Sequence, residues 1–400
     1  VVAVGVSVLV GVCTTLALIG VGLPAAGSVA FGLSWAGVGI AFAAVAALAA
    51  QVTRSARTAT GLAVAVLAVV YVLRAVGDTA SATGPTWLSW LSPIGWAQQL
   101  RPYAGDRWWL SAITIGFAIL VTAAAVALAA RRDLNAGLMA DRPGPAHAPS
   151  LLRGPLGLAW RLQRGVLLAW TGAFLLGGLI VGGIAANIGG FVAGPQARQL
   201  ITELGGQQGL TNAFLAAELG MLGVIVSAYG IQAALRLRTE EIAGHVEPVL
   251  ATGTGRGRWM VSHIVVALAG SAVMLAGAGL TAGLTRAADT GRLADAWGVL
   301  GGALVQIPAA WVLIGIVVAV FGSAPRLVTA GWAALVLFLL LGELGPLLRL
   351  RQWVMDLSPF TDVPRLPGVP VTATPLVWLF LITGLLVTAG LAGFRRRDVG

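Results

Sequence analysis

Long apolar runs, separated by short charged or Gly/Pro-rich stretches, set the pattern of the chain. A helix needs about 20 mainly apolar residues to cross a hydrocarbon core. Ten runs meet that length, at roughly 3–23, 28–50, 59–77, 109–130, 165–188, 211–235, 259–285, 296–321, 327–345 and 375–394. Their Gly and Ala content suits close helix packing in lipid, where small residues let backbones approach. The pattern predicts an all-α polytopic membrane protein.

Composition points the same way. Apolar residues make up 58% of the 400 and charged residues 10%, with a mean hydropathy of +0.90. That is too little charge to cover a soluble surface. All 25 basic residues are Arg. The net charge of +10 would suggest nucleic acid as a partner of a soluble protein. Here it marks loops on one side of a bilayer with anionic lipid, and no nucleic-acid partner is expected. Cys13 is the only cysteine, which excludes an internal disulfide and a thiolate metal cluster. His147, His245 and His263 show no metal-ligand spacing.

Arginine also sets orientation. One alternation puts Arg54, Arg57, Arg131, Arg132, Arg142, Arg153, Arg161, Arg164, Arg236, Arg238, Arg256, Arg258, Arg326 and Arg395–Arg397 on a single side. The positive-inside rule makes that side, and the C-terminus, cytoplasmic in a bacterial plasma membrane.

The chain repeats itself. "LSPIGWAQQLRP" (91–102) echoes "LSPFTDVPRLP" (357–367), and "ARRDLNAG" (130–137) echoes "FRRRDVG" (394–400). The nearly constant offset predicts two parallel six-helix repeats, the first truncated to its last four spans, related by an axis along the membrane normal. The expected organisation is 1–134 for those four spans, 135–150 for a Pro-rich cytoplasmic linker, and 151–400 for a complete six-span repeat. The chain opens Val-Val with neither Met nor a basic stretch, so its start is expected to be missing.

Between two runs of the second repeat lies a charged loop, 236–258, containing "RTEEIAGHVEPVLATGTGRGRW". Thr239 suits a helix N-cap, which would put Glu240 and Glu241 exposed in a first turn, where carboxylates favour the helix dipole. Ile242, Val246, Val249 and Leu250 share one helical face. Pro248, after Glu247, should kink or divide the segment. Gly253 and Gly255 end it, and Arg256 and Arg258 mark the return to the membrane. Two readings stay open for this amphipathic segment: a helix lying on lipid, or a docking element for a cytosolic partner.

"LRTEEIAGHVEPVLATGTGRGRWMVSH" resembles the intracellular loop of bacterial ABC-2-type permeases, most closely the large actinobacterial permeases linked to polyketide and tetronasin-type antibiotic export. The matching residues are Glu240-Glu241, Glu247-Pro248-Val249-Leu250-Ala251-Thr252, Arg258-Trp259 and Ser262-His263. "YVLRAVGD" (71–78) and "LSWLSPIGWAQQLRPYAGDRWW" (88–109) resemble that branch too. Gly253-Thr254-Gly255 departs from it, standing where the branch carries Pro-Val-Ser, which loosens the end of the segment. The resemblance implies a coupling helix seated on a separate ATPase subunit, in two copies, which would carry ATP and Mg. It implies a path lined by the second and fifth spans of each unit, re-entrant helices before each sixth span, and an amphipathic drug or antibiotic as cargo. "GPTWLSWLSPIGWAQQL" (84–100) suits the re-entrant role, with Trp87, Trp90 and Trp96 as interfacial anchors.

The chain has no Lys, so it cannot form a P-loop. No catalytic set and no bound cofactor or metal are expected in it. The alternative is an ion-coupled secondary multidrug transporter, which needs ionisable residues inside its spans. The candidates are Glu218 in the second span of unit two, and Arg74 and Glu343 near the outer ends of the two fifth spans. Glu218 either binds a proton or cation or is structural. Arg74 and Glu343 either pair across the path or reach separately to the interface.

Overall fold

The computed structural model describes residues 2–53, 55–79, 86–131, 154–187 and 206–397; among these, every regular element is helical. The predicted linker 135–150 lies outside the described residues. The chain divides into two compact units, Val1–Gly144 and Pro145–Gly400.

Unit one contains α1 (Val2–Gly20), α2 (Ala25–Val52), α3 (Ala56–Thr79), α4 (Pro93–Gln99) and α5 (Trp109–Ala130). Unit two contains α6 (Pro155–Asn187), α7 (Gly206–Ile242), α8 (Val246–Ala251), α9 (Arg256–Thr290), α10 (Leu293–Leu304), α11 (Ile307–Ser323), α12 (Ala330–Leu347), α13 (Gln352–Met355) and α14 (Ala373–Arg396). Eight helical stretches among the described residues are long and apolar enough to cross a membrane, the all-α polytopic fold expected from the apolar runs. Among the described residues the two predicted fifth spans hold shorter apolar stretches, Thr58–Arg74 and Ala330–Gly345.

The run predicted at 296–321 is broken. α10 stops at Leu304, Gln306 caps the next helix, and α11 carries Pro308 in its first turn. A proline ring clashes with the carbonyl four residues back and has no N–H to donate to it; that carbonyl belongs to Leu304. Elsewhere the helices outrun the apolar runs. α7, with 37 residues, is about 55 Å long at 1.5 Å per residue. A hydrocarbon core of about 30 Å leaves its last turns projecting.

Small residues set the helix contacts. In α6, Gly178 and Gly182 meet Ala278 and Ala282 of α9, where a Cβ on Gly182 would lie 2.8 Å from the Ala282 carbonyl oxygen. The Thr281 hydroxyl donates across the same contact to the Leu175 carbonyl at 3.0 Å. Gly322 of α11 meets Gly390 and Gly393 of α14 backbone to backbone. Unit one repeats the device, with Gly11 of α1 against the Gly32 carbonyl of α2. The core of unit two is buried around Tyr229, Leu237, Trp259, Met260, Phe321 and Phe394.

The two Leu-Ser-Pro segments make related turns. Ser92 is fully buried and caps α4, accepting from the Gly95 N–H at 3.3 Å. Ser358 is equally buried and donates to the Phe338 carbonyl of α12 at 3.4 Å. A helix follows Ser92, whereas Pro364 and Pro367 hold the second segment in an irregular loop. Of the predicted re-entrant stretch, Thr86–Leu91 is a 3-10 turn leading into α4, and the residues before it lie outside the described set.

Candidate functional site

The charged loop is built differently from its expected form. α7 does not stop before Thr239 but runs on to Ile242, so Thr239, Glu240 and Glu241 occupy its last turn. Thr239 caps nothing; its hydroxyl turns back to the Leu235 carbonyl at 3.3 Å. The chain reverses at Ala243–His245, where Gly244 adopts φ +69°, a conformation that favours glycine. The helix that does start here is α8, with Glu247 in its first turn. Pro248 sits in that turn too, where its missing N–H is harmless. Gly253, at φ +79°, ends α8, and Gly255 precedes Arg256 at the start of α9. The predicted face is divided: Val246 is buried and Val249 and Leu250 pack on the core, but Ile242 is 70% exposed.

The two acids are not a free surface either. Glu240 is 6% exposed; it pairs with Arg236 and meets His245 Nδ1 at 2.9 Å. Glu241 pairs with Arg397 and accepts from Arg238 at 2.7 Å. Arg397 also donates to the Phe321 carbonyl at 3.1 Å and lies over the rings of Phe321 and Phe394. Arg256 donates to the Arg397 carbonyl at 2.8 Å. Glu241 and Arg397 thus tie the ends of α7, α9, α11 and α14 together, while Glu240 braces the end of α7 and the turn after it. Reversing both charges would oppose the half-buried guanidiniums of Arg236, Arg238 and Arg397 and disrupt the fold, so the expectation of two exposed first-turn acids is corrected. Sequence reasoning assigned Arg397 only to the positive side of the membrane, since nothing in the local pattern announces a partner 156 positions away. The surface this loop leaves open includes Ile242, Ala243, His245, Glu247, Pro248 and Arg258.

At the opposite end of α7 lies a cavity of about 640 Å³, within the range of small-molecule sites. α7 contributes Asn212, Ala217, Met221 and Val224, α12 contributes Phe338, Leu339 and Glu343, and the loop before α14 contributes Phe360, Val363 and Arg365. Its walls therefore come from the second and fifth spans of unit two and the loop before α14. Gln306, at the break between α10 and α11, also lines it. Beside the cavity, partial burial and the negative charge of Asp356 raise the pKa of Asp362.

The three ionisable residues singled out in the apolar runs separate. Glu343 is exposed and lines the cavity. Glu218 is half-buried on α7 and is not among the lining residues. Arg74 belongs to unit one, its guanidinium 6.0 Å from the Tyr71 ring centre. Among the described residues, no group of three His, Cys, Asp or Glu side chains could hold a metal ion.

Residues 152–395 match the family described as multidrug efflux system permease Rv1217c, C-terminal domain. The chain is also 42% identical, over 99% of its length and 72% of the relative's, to the multidrug efflux system permease protein Rv1217c of Mycobacterium tuberculosis. A match over most of the chain, together with that identity, fixes the assignment: this chain belongs to the multidrug efflux system permease family.

Proposed function

We propose that the chain is the membrane permease of an ATP-driven exporter of amphipathic drugs or antibiotics. Separate ATPase subunits, two per transporter, bind ATP and Mg and dock on the exposed side of α8. Cargo passes outward through the groove between α7 and α12. The loop side, with the C-terminus, faces the cytoplasm of a bacterial plasma membrane. The observation that carries this reading is the loop 236–258: a short helix, open on one side and seated through Val246, beside a junction where the Glu241–Arg397 ion pair and two hydrogen bonds to carbonyls join the ends of four long helices. A segment used only to connect two spans has no need of such bracing. The likeness of 71–78 and 88–109 to the antibiotic-export branch, and the drug-efflux relative, support the cargo class.

The test is transport in proteoliposomes containing the permease and its ATPase. Vanadate-sensitive drug efflux that persists after collapse of the proton gradient is the expected result. Efflux that ignores vanadate and stops with the gradient would overturn the proposal in favour of ion coupling.

A further inference from the structure

The break between α10 and α11 leaves one polar side chain without a structural role. Gln306 is 5% exposed. Its side-chain amide has no hydrogen-bond partner among the described residues, and it forms part of the cavity wall. α7 makes room for it: a Cβ on Gly223 would lie 2.9 Å from both the Cβ and the Oε1 of Gln306. The amide faces the cavity without a protein partner, where an apolar side chain would fill the same space without a polar group to satisfy. Gln306 is also the N-cap of the 17-residue α11, whose amino end favours electronegative atoms. Met221, Val224, Phe338 and Phe360 supply apolar wall, while Asn212, Glu343 and Arg365 line the same cavity with polar groups.

We propose that Gln306 is a specificity-determining anchor, donating a hydrogen bond from its amide to a carbonyl oxygen carried on an otherwise apolar, aromatic cargo. The apolar wall holds the body of the molecule, and the amide together with the α11 amino end reads the carbonyl. Cargo lacking the oxygen leaves the amide unpaired and binds more weakly. This inference rests on the cavity being the cargo site.

The test is equilibrium binding to the intact permease in nanodiscs without nucleotide, so that failure of ATP coupling cannot mask it. The probes are 6-propionyl-2-dimethylaminonaphthalene and its 6-propyl counterpart, which lacks the carbonyl, each corrected for partition into empty nanodiscs. The ketone should bind about tenfold more tightly than the alkyl compound, the order expected for one hydrogen bond. Gln306→Leu should weaken the ketone to the level of the alkyl compound and leave the latter unchanged. Gln306→Asn, which keeps the amide on a shorter arm, should fall between. Equal weakening of both probes by Gln306→Leu would make the residue structural and overturn the proposal, as would an unchanged ketone affinity. If Ala217→Trp, which fills the cavity, leaves binding of both probes intact, or if wild-type protein binds neither, the cavity is not the cargo site. The reading of the path then fails, and the anchor with it.

Discussion

Glu240 and Ile242 are two positions apart, yet one is enclosed and the other stands in the open. Removing the Glu240 carboxylate leaves the Arg236 guanidinium, itself largely covered, without its counter-charge. Breaking a buried pair in this way costs about 3–5 kcal/mol. Glu240→Ala should therefore lower the melting temperature of the detergent-solubilised permease sharply. Glu240→Gln should do so less, because the amide oxygen still accepts from Arg236, while the amide NH2 replaces the oxygen that faces His245. Ile242 sits with Glu247 and Pro248 on the open side of the loop, and an exposed substitution away from special features shifts stability by only about 0.5 kcal/mol. Ile242→Asp should leave melting unchanged and reduce drug-stimulated ATP hydrolysis by the assembled transporter several-fold. Full retention of that stimulation would remove Ile242 from the docking surface. The sequence distinguished these two residues poorly: a run of Thr, Glu, Glu and Ile reads equally well as the start of one helix or the end of another. What decides is the reversal at Gly244, a backbone property, and the pairing of Glu241 with the distant Arg397.

The helices themselves were largely legible, because apolar length and Arg-bearing ends follow from the bilayer and appear directly in the pattern. Each apolar run overlaps a helix or helix pair. The break in the eighth run was readable in principle from Pro308, but uninterrupted hydropathy concealed it. The cavity was not readable, since it depends on how α7, α12 and the loop before α14 face one another. Which glycines matter was also hidden. Gly322 meets the backbone of α14, whereas Gly301, on α10, has nothing within 4 Å of an added Cβ. Gly322→Val should force α11 and α14 apart and abolish recovery of folded protein in size-exclusion chromatography. Gly301→Val should be tolerated, at a cost below about 1.5 kcal/mol, as for a substitution without overpacking. Equal recovery of the two variants would show that the α11–α14 contact is not as close as described.

At the scale of the molecule, the reading of sidedness can be checked chemically. With Cys13 replaced by Ser, a single cysteine at Gly255 should react with a membrane-impermeant maleimide only from the cytoplasmic face. One at Val371, exposed before α14, should react only from outside. Val371 is a better reporter than the nearby Gly368, whose φ of +119° resists a side chain. Labelling of both from one face would break the alternation that the arginines predict. The same loop has a mechanical consequence. α8 is slung between two left-handed glycines and seated on the bundle through Val246, Val249 and Leu250. If a partner docks on its open side as proposed, a rod of six residues is too short to bend and would turn as a crank about that greasy bearing. Because Arg397 lashes the neighbouring helix ends together, such a torque would reach α7, α9, α11 and α14 in one stroke.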